Sequence, residues 1–294
     1  VLIAPAIDTA AAGAPRVALR GEAMEIVPGV YRVEGIAGSN AVLLAGEQMA
    51  VVDTGFPGNG EAIVGYIKSI GRSPRDLRWI INTHHHFDHS GSADELHQLT
   101  GASIVAHRDE VVPAKDGRML LRKGVEGEPI PIWYRWLFHG HRPGAPDRPI
   151  HDTVVHETVG HGDRMEVLGG LRFLHTPGHT PGSLTLVLEG QQMLFLGDSV
   201  INNVNRLSRP LMWDRKKRRQ LDASLRSLRE LDAEVACFGH GPPLQELVME
   251  RVRSLTDRPY DMPTWQIVLK NWRTLRKFYR MNRQRRGVPE GAGS

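Results

Sequence analysis

The sequence predicts an α/β chain, an αββα sandwich of two mixed β-sheets flanked by helices. Three observations predict it. A strand–turn–strand unit ending near an acidic residue occurs twice, at 42–53 and at 186–198. Each unit is followed by a helical pattern and then by another apolar run. The side chains able to do chemistry sit in tight turns at the ends of apolar runs, which is where α/β folds present their reactive groups.

The first unit reads VLLAGEQMAVVD from Val42 to Asp53, and the second reads LVLEGQQMLFLGD from Leu186 to Asp198. Both suit a strand, a turn at Gly46 or Gly190, a second strand and an acid in a turn, with the two acids one register position apart. A helix is expected over 59–70, with Ile63, Ile67 and Ile70 on one face and Gly71 as its stop. The apolar run Trp79, Ile80, Ile81 follows. After the second unit, a helix over 215–231 is expected, capped by Asp214, with Leu221, Leu225, Leu228 and Leu231 along one buried face. It leads to the run Val235 to Phe238.

Around this frame the expected layout is an N-terminal tail at 1–20, a catalytic domain at 21–245 and a helical extension with a basic tail at 246–294. An insertion at 113–161, rich in Pro, Gly and His, interrupts the domain. Its aromatic run at 132–139 reads either as a lid over a substrate pocket or as a helix that buries Trp133, Trp136 and Leu137, and the residues leave both open. His139, His141, His151, His156 and His161 are expected in solvent. Residues 264–286 carry Lys270, Arg273, Arg276, Lys277, Arg280, Arg283, Arg285 and Arg286 with no acid, outweighing the net charge of +4 of the whole chain. Trp265, Val268, Leu269, Trp272, Leu275 and Tyr279 follow helical spacing there. A basic amphipathic helix of this kind suits a membrane surface or nucleic acid, but docking its apolar stripe on the domain is the favoured expectation.

Composition bounds the class. With 294 residues, 40% of them hydrophobic and 24% charged, the chain is ordinary globular material. One cysteine, Cys237, excludes an intrachain disulfide and is expected to be a buried, inert thiol in its apolar run. No apolar run approaches the roughly 18 residues of a membrane span, and no secretory leader is recognisable, so a cytoplasmic location is expected.

The chemistry concentrates in Thr83-His84-His85-His86-Phe87-Asp88-His89, which sets four histidines and a carboxylate within seven residues. Imidazole and carboxylate are ligands for zinc and related divalent metals. A solvated His-rich loop is the competing reading. Three further turns decide for metal: Thr176-Pro177-Gly178-His179-Thr180, Leu196-Gly197-Asp198 and Gly239-His240-Gly241.

With Val52-Asp53-Thr54-Gly55 in front of them, these motifs make the chain resemble the metallo-β-lactamase superfamily of hydrolases over residues 27–243. The resemblance implies the αββα fold and two divalent metal ions. Zinc suits the ligands best, with iron and manganese also compatible. Carried over by position, His84, His86 and His179 would hold one metal, Asp88, His89 and His240 the second, and Asp198 would bridge them. His85 would point away, and Asp53 would orient a ligand histidine or its loop. Asp88 would also accept or relay a proton in catalysis. No Gly-x-Ser-x-Gly elbow is present, and two metals need no protein nucleophile, since a water held between them becomes a hydroxide near neutral pH.

The implied function is hydrolysis of a small ester, lactone or thioester. In the resemblance, the bridging acid marks the glyoxalase II, lactonase and phosphodiesterase branches and leaves β-lactam cleavage as a side activity. Gly241-Pro242-Pro243 stands where glyoxalase II proteins carry Tyr-Thr, which speaks against glutathione thioesters. Ser199-Val200-Ile201 lacks the tyrosine common in quorum-quenching lactonases. A phosphodiesterase or nuclease is the alternative, and a non-enzymatic metal module is a third reading that lacks a partner domain in this sequence. The expected partner is a small-molecule substrate rather than nucleic acid, and a homodimer is compatible with the chain.

Overall fold

A computed structural model describes residues 24–123, 152–204, 206–258, 260 and 266. The tail at 1–20, the aromatic run at 132–139 and, apart from Gln266, the basic segment at 264–286 lie outside the described residues.

The first sheet opens with antiparallel strands β1 (Met24–Val27) and β2 (Val30–Arg32), then the hairpin of β3 (Val42–Ala45) and β4 (Met49–Val52). Helix α1 (Gly60–Ser69) returns the chain to β5 (Leu77–Ile81), which pairs in parallel with β4. The single turn α2 (Phe87–Ser90) and helix α3 (Ala93–Thr100) lead to β6 (Ser103–His107), parallel to β5. Strands β7 (Val111–Pro113) and β8 (Met119–Leu121) form a side ribbon, and β9 (Glu157–Val159) closes a seven-stranded sheet in the order β1-β2-β3-β4-β5-β6-β9.

The second sheet repeats the plan. Strands β10 (Arg164–Met165), β11 (Leu171–His175), β12 (Leu184–Leu188) and β13 (Met193–Phe195) are antiparallel. A small hairpin, β14 (Ile201–Asn202) with β15 (Leu207–Ser208), precedes helix α4 (Arg215–Ser227). Strand β16 (Val235–Cys237) then pairs in parallel with β13, and helix α5 (Val248–Thr256) follows. Each expected unit is therefore a hairpin whose second strand gains a parallel neighbour through a helix, which bears out the internal repeat at the level of topology.

Side-chain alternation explains the four layers. Val42, Leu44, Ala50 and Val52 point to the core between the sheets, where they meet Phe173, Leu186, Leu188 and Phe195. Their chain neighbours Leu43, Met49 and Val51 point outward onto Ile63 and Ile67 of α1 and Leu96 of α3. On the far side, Leu174, Val187 and Leu194 pack against Leu221 and Leu225 of α4 and Val252 of α5. Strands buried on both faces read as continuous apolar runs, as Met193–Phe195 and Val235–Cys237 do.

The expected helices form at the expected places. Gly71 closes the first with a left-handed φ of 73°. Asp214 caps the second, its Oδ1 accepting from the backbone N–H of Lys216 at 2.7 Å. The second helix ends at Ser227 rather than at 231. Its last turn tightens instead, with Leu228, Arg229 and Leu231 donating to carbonyls three residues back, and Leu231 still packs on the outer core. Cys237 is a free thiol buried between the sheets. Among the described residues, no helix is long and apolar enough to cross a membrane.

Candidate metal centre

Five chain segments converge at one edge of the sandwich, each leaving the C-terminal end of a strand. They follow β4 (Asp53), β5 (Thr83 to His89), β11 (Thr176 to Thr180), β13 (Gly197 and Asp198) and β16 (Gly239 to Gly241). All seven residues expected to hold metal arrive there. Nδ1 of His86 lies 3.1 Å from Nε2 of His84 and 3.0 Å from Nε2 of His179. Oδ2 of Asp88 lies 3.3 Å from Nε2 of His240 and 4.0 Å from Nε2 of His89. Asp198 sits between these two groups. Its Oδ1 is 3.3 Å from Nε2 of His89, and its Oδ2 is 3.6 Å from both Nε2 of His179 and Nε2 of His240.

The hydrogen bonds behind the ligand atoms assign their protons. Asp53 accepts from the backbone N–H and the hydroxyl of Thr83 and from Nδ1 of His89, each at 2.8 Å. Its carboxylate can only accept, so Nδ1 of His89 carries a proton and Nε2 is the atom turned toward the ligand groups. Burial lowers the His89 imidazole, but Asp198, Asp53 and Asp88 outweigh it and hold it well above the usual range, so Nε2 gives up a proton to a cation that binds there. The hydroxyl of Thr83 spends its single proton on Asp53 and must therefore accept from Nδ1 of His84, 3.1 Å away. Nε2 of His84 is then a bare lone pair. Asp53 thus sets the tautomer of one histidine directly and of another through Thr83.

The donor set fits divalent cations. Nε2 of His89 and Oδ1 of Asp198 are buried and have no hydrogen-bond partner. The groups His84, His86, His179 and Asp88, His89, His240, together with His84, His89, Asp198, each bring their ligand atoms within 4.8 Å of one another. Nitrogen and carboxylate oxygen with no sulfur suit zinc and its neighbours. Burial and the surrounding rings keep His84 and His86 well below the usual imidazole range, hence neutral and able to ligate. Burial raises the Asp88 carboxyl, but His89 and a hydrogen bond from His240 outweigh it and bring it down to about 2. Asp198 is held lower still against the same burial by His89 and His240.

Further residues complete the site, and Asn40 and Glu110 among them carry no signal in the sequence. Nδ2 of Asn40 donates to the carbonyls of Phe238 (2.9 Å) and Gly241 (2.7 Å), tying the His240 turn to the first sheet. Gly239 must lack a side chain, because a Cβ there would lie 2.3 Å from Oδ1 of Asp198 and 2.4 Å from Cε1 of His89. His85 points away from the metal groups, as expected, and is buried against Glu110. Glu110 itself lies in the charged triplet Arg108-Asp109-Glu110, which reads as a solvated turn. His156 and His161 are exposed, as expected. His107, Asp109 and His175 form a further group of ligand type. There, however, Nδ1 of His107 accepts from the N–H of Asp109 and Nε2 of His175 donates to the carbonyl of Pro181, so both nitrogens are engaged.

Comparison with known proteins agrees with this geometry. The family model of the metallo-beta-lactamase superfamily matches residues 35–240. A hydroxyacylglutathione hydrolase of Rhodospirillum rubrum is 29% identical over 65% of this chain and 56% of its own length. An N-acyl homoserine lactonase of a Bacillus species is 28% identical over 45% of this chain and 41% of its own. The chain therefore spans about half the length of these curated relatives. Among solved structures, a metallo-beta-lactamase family protein of Thermus thermophilus aligns with a TM-score of 0.56 at 26% identity, covering 79% of this chain and 80% of the other.

Proposed function

The chain belongs to the metallo-β-lactamase superfamily, and from that premise we propose that it is a dinuclear metal-dependent hydrolase of a small ester, lactone or thioester. The observation that carries the proposal is the position of Asp198, whose carboxylate faces both ligand groups at 3.3–3.6 Å, with Oδ1 toward His89 and Oδ2 toward His179 and His240. A carboxylate so placed suits a bridge between two cations. His84, His86 and His179 would hold one, and Asp88, His89 and His240 the other. When bound, the pair supplies the Lewis acidity that polarises an acyl carbonyl and makes water nucleophilic near neutral pH.

The chain's own groups divide the remaining work. Asp53 accepts the Nδ1 proton of His89 and, through Thr83, orders that of His84, which turns both Nε2 atoms toward the ligand groups. Asp88 and His240 keep side-chain exposures of 25% and 35%, whereas His89 is fully buried. Substrate and water therefore reach the site from the Asp88–His240 side, and Oδ2 of Asp88 is the carboxylate best placed to take or pass a proton there.

The names of the two relatives, a glutathione-thioester-type hydrolase and a lactonase, support acyl transfer to water. After His240, however, the chain continues Gly241-Pro242-Pro243, which offers no hydroxyl for a glutathione moiety. Ser199-Val200-Ile201 likewise lacks the tyrosine common in quorum-quenching lactonases, so the proposed class stays a small ester, lactone or thioester, and a dedicated β-lactamase is not favoured.

Metal analysis and a hydrolysis panel of lactones, acyl thioesters and phosphodiesters test the proposal together. Two ions per chain with turnover of an ester or lactone is the expected result. Full activity with one ion per chain would overturn the dinuclear reading, and cleavage of phosphodiesters alone would overturn the acyl reading.

A further inference from the structure

The residue that joins the two halves of the three-histidine group is not one of the histidines. Glu110 ends the short 3-10 turn after β6 and is fully buried. Its Oε2 accepts from the backbone N–H of His85 at 2.9 Å and from Nδ1 of His85. Its Oε1 accepts from the hydroxyl of Thr180 at 2.7 Å and from the backbone N–H of Gly182. All four partners donate, so the carboxylate acts only as an acceptor and each oxygen serves a different loop.

Those loops come from different sheets. His85 stands between His84 and His86 in the loop after β5, and Thr180 follows His179 in the turn after β11. One backbone bond also links the same two segments, from the N–H of Leu184 to the carbonyl of Thr83 at 2.9 Å, and Glu110 adds contacts on both sides of the 3.0 Å approach of His86 to His179. The packing is tight on the same residue. Gly182 has no left-handed φ to explain it, yet a Cβ there would lie 2.7 Å from Cγ of Glu110 and 2.9 Å from its Oε1. The turn after His179 has thus been closed down onto the carboxylate.

We infer that Glu110 is a positioning residue, the clamp that holds the loop of His84 and His86 in register with the turn of His179. The inference rests on the metal reading given above. The clamp needs a group that accepts on both sides at once. Glutamine keeps the size of Glu110 but presents an amide NH2 to one of the two loops, where it meets donors. One loop must therefore let go, whichever way the amide is turned. Thr180 supplies a milder perturbation of the same contact, since valine keeps the β-branched shape and leaves the carboxylate in place while removing the hydroxyl, which pairs with Oγ of Ser183 as well as with Glu110.

The test compares Glu110→Gln and Thr180→Val with Ile63→Val, a core change on α1 that leaves the clamp untouched. Three properties are read: metal loss to a chelator, the visible spectrum of the cobalt(II)-loaded protein, and exchange of the His85 and Gly182 amides in the metal-free protein. The expected result for Glu110→Gln is loss of one ion about 10–100-fold faster than in the parent, the range for groups that orient ligands. The other ion is retained, the cobalt spectrum changes, and both amides exchange faster. Thr180→Val should move the same readouts by less, and Ile63→Val should lower the melting temperature alone. Parental metal loss and amide exchange in Glu110→Gln would overturn the inference. So would metal loss in Ile63→Val equal to that in Glu110→Gln at matched melting temperature. If Glu110→Gln does not fold, unchanged readouts in Thr180→Val overturn it instead. A parent that takes up no metal refutes the proposed function, whereas the amide exchange still reads the clamp directly.

Discussion

Replacing Asp53 by Asn isolates the control of ligand tautomers. The side chain keeps its size, and its surroundings are fully specified: three donors at 2.8 Å, two on Oδ2 and one on Oδ1. An amide cannot satisfy all three. With its oxygen in the place of Oδ2, its NH2 faces the backbone N–H of Thr83, and one buried bond becomes a meeting of two donors. With its oxygen in the place of Oδ1, its NH2 faces Nδ1 of His89 and the hydroxyl of Thr83. His89 must then move its proton to Nε2. Thr83, now accepting from the amide, must donate to Nδ1 of His84, which moves that proton to Nε2 as well. Either outcome loses at least one bond to a charged acceptor, a contribution of about 1.5–3 kcal/mol, and unpaired buried donors cost about 1–3 kcal/mol more. Relaxation recovers part of this, so the expected loss is about 2–4 kcal/mol of folding stability, with metal affinity weakened about 10–100-fold. Urea unfolding reads the first quantity, chelator competition the second, and imidazole nitrogen shifts the tautomers. A D53N protein within about 0.5 kcal/mol of the parent, the scatter of ordinary surface changes, with unchanged metal retention, would refute the reasoning.

Other substitutions address neighbouring claims. Asp198→Asn keeps the shape between the two ligand groups but removes the charge, so metal content should fall toward one ion per chain and turnover by orders of magnitude. Elemental analysis with steady-state kinetics checks this, and near-parental values would reduce Asp198 to a turn residue. Burial pushes the Cys237 thiol up to about 12, so a thiol reagent at pH 8 should label the native protein only as it unfolds. The sign for stability follows. The preference for the protonated thiol is intact below the unfolded value near 9 and is lost as pH rises toward 12. Asp214→Ala removes the cap of α4 and should cost about 1 kcal/mol in thermal or urea unfolding without changing metal content.

What the sequence determined by itself is local. A continuous apolar run ending in a tight turn marks a strand buried on both faces, and a histidine or aspartate in that turn is delivered to the strand's C-terminal end. His84, His86, His179, Asp198 and His240 were legible for that reason, because the feature that places each lies within a few residues of it. The helices were legible from the spacing of Ile63 and Ile67 and of Leu221 and Leu225, which face one side whatever they pack on. The end of α4 was not, since Leu228 and Leu231 keep an apolar period through a turn that tightens. Tertiary structure alone decided how the turns meet. Glu110 looks solvated beside Arg108 and Asp109, yet it is buried because loops 25 and 70 residues away close over it. Asn40 holds a turn 201 residues further along the chain. Asp53 shows no preference in sequence for His89 over any other histidine. Hydrogen bonds of this kind depend on the approach of two sheets to within a few ångströms, and residue spacing carries no record of that distance.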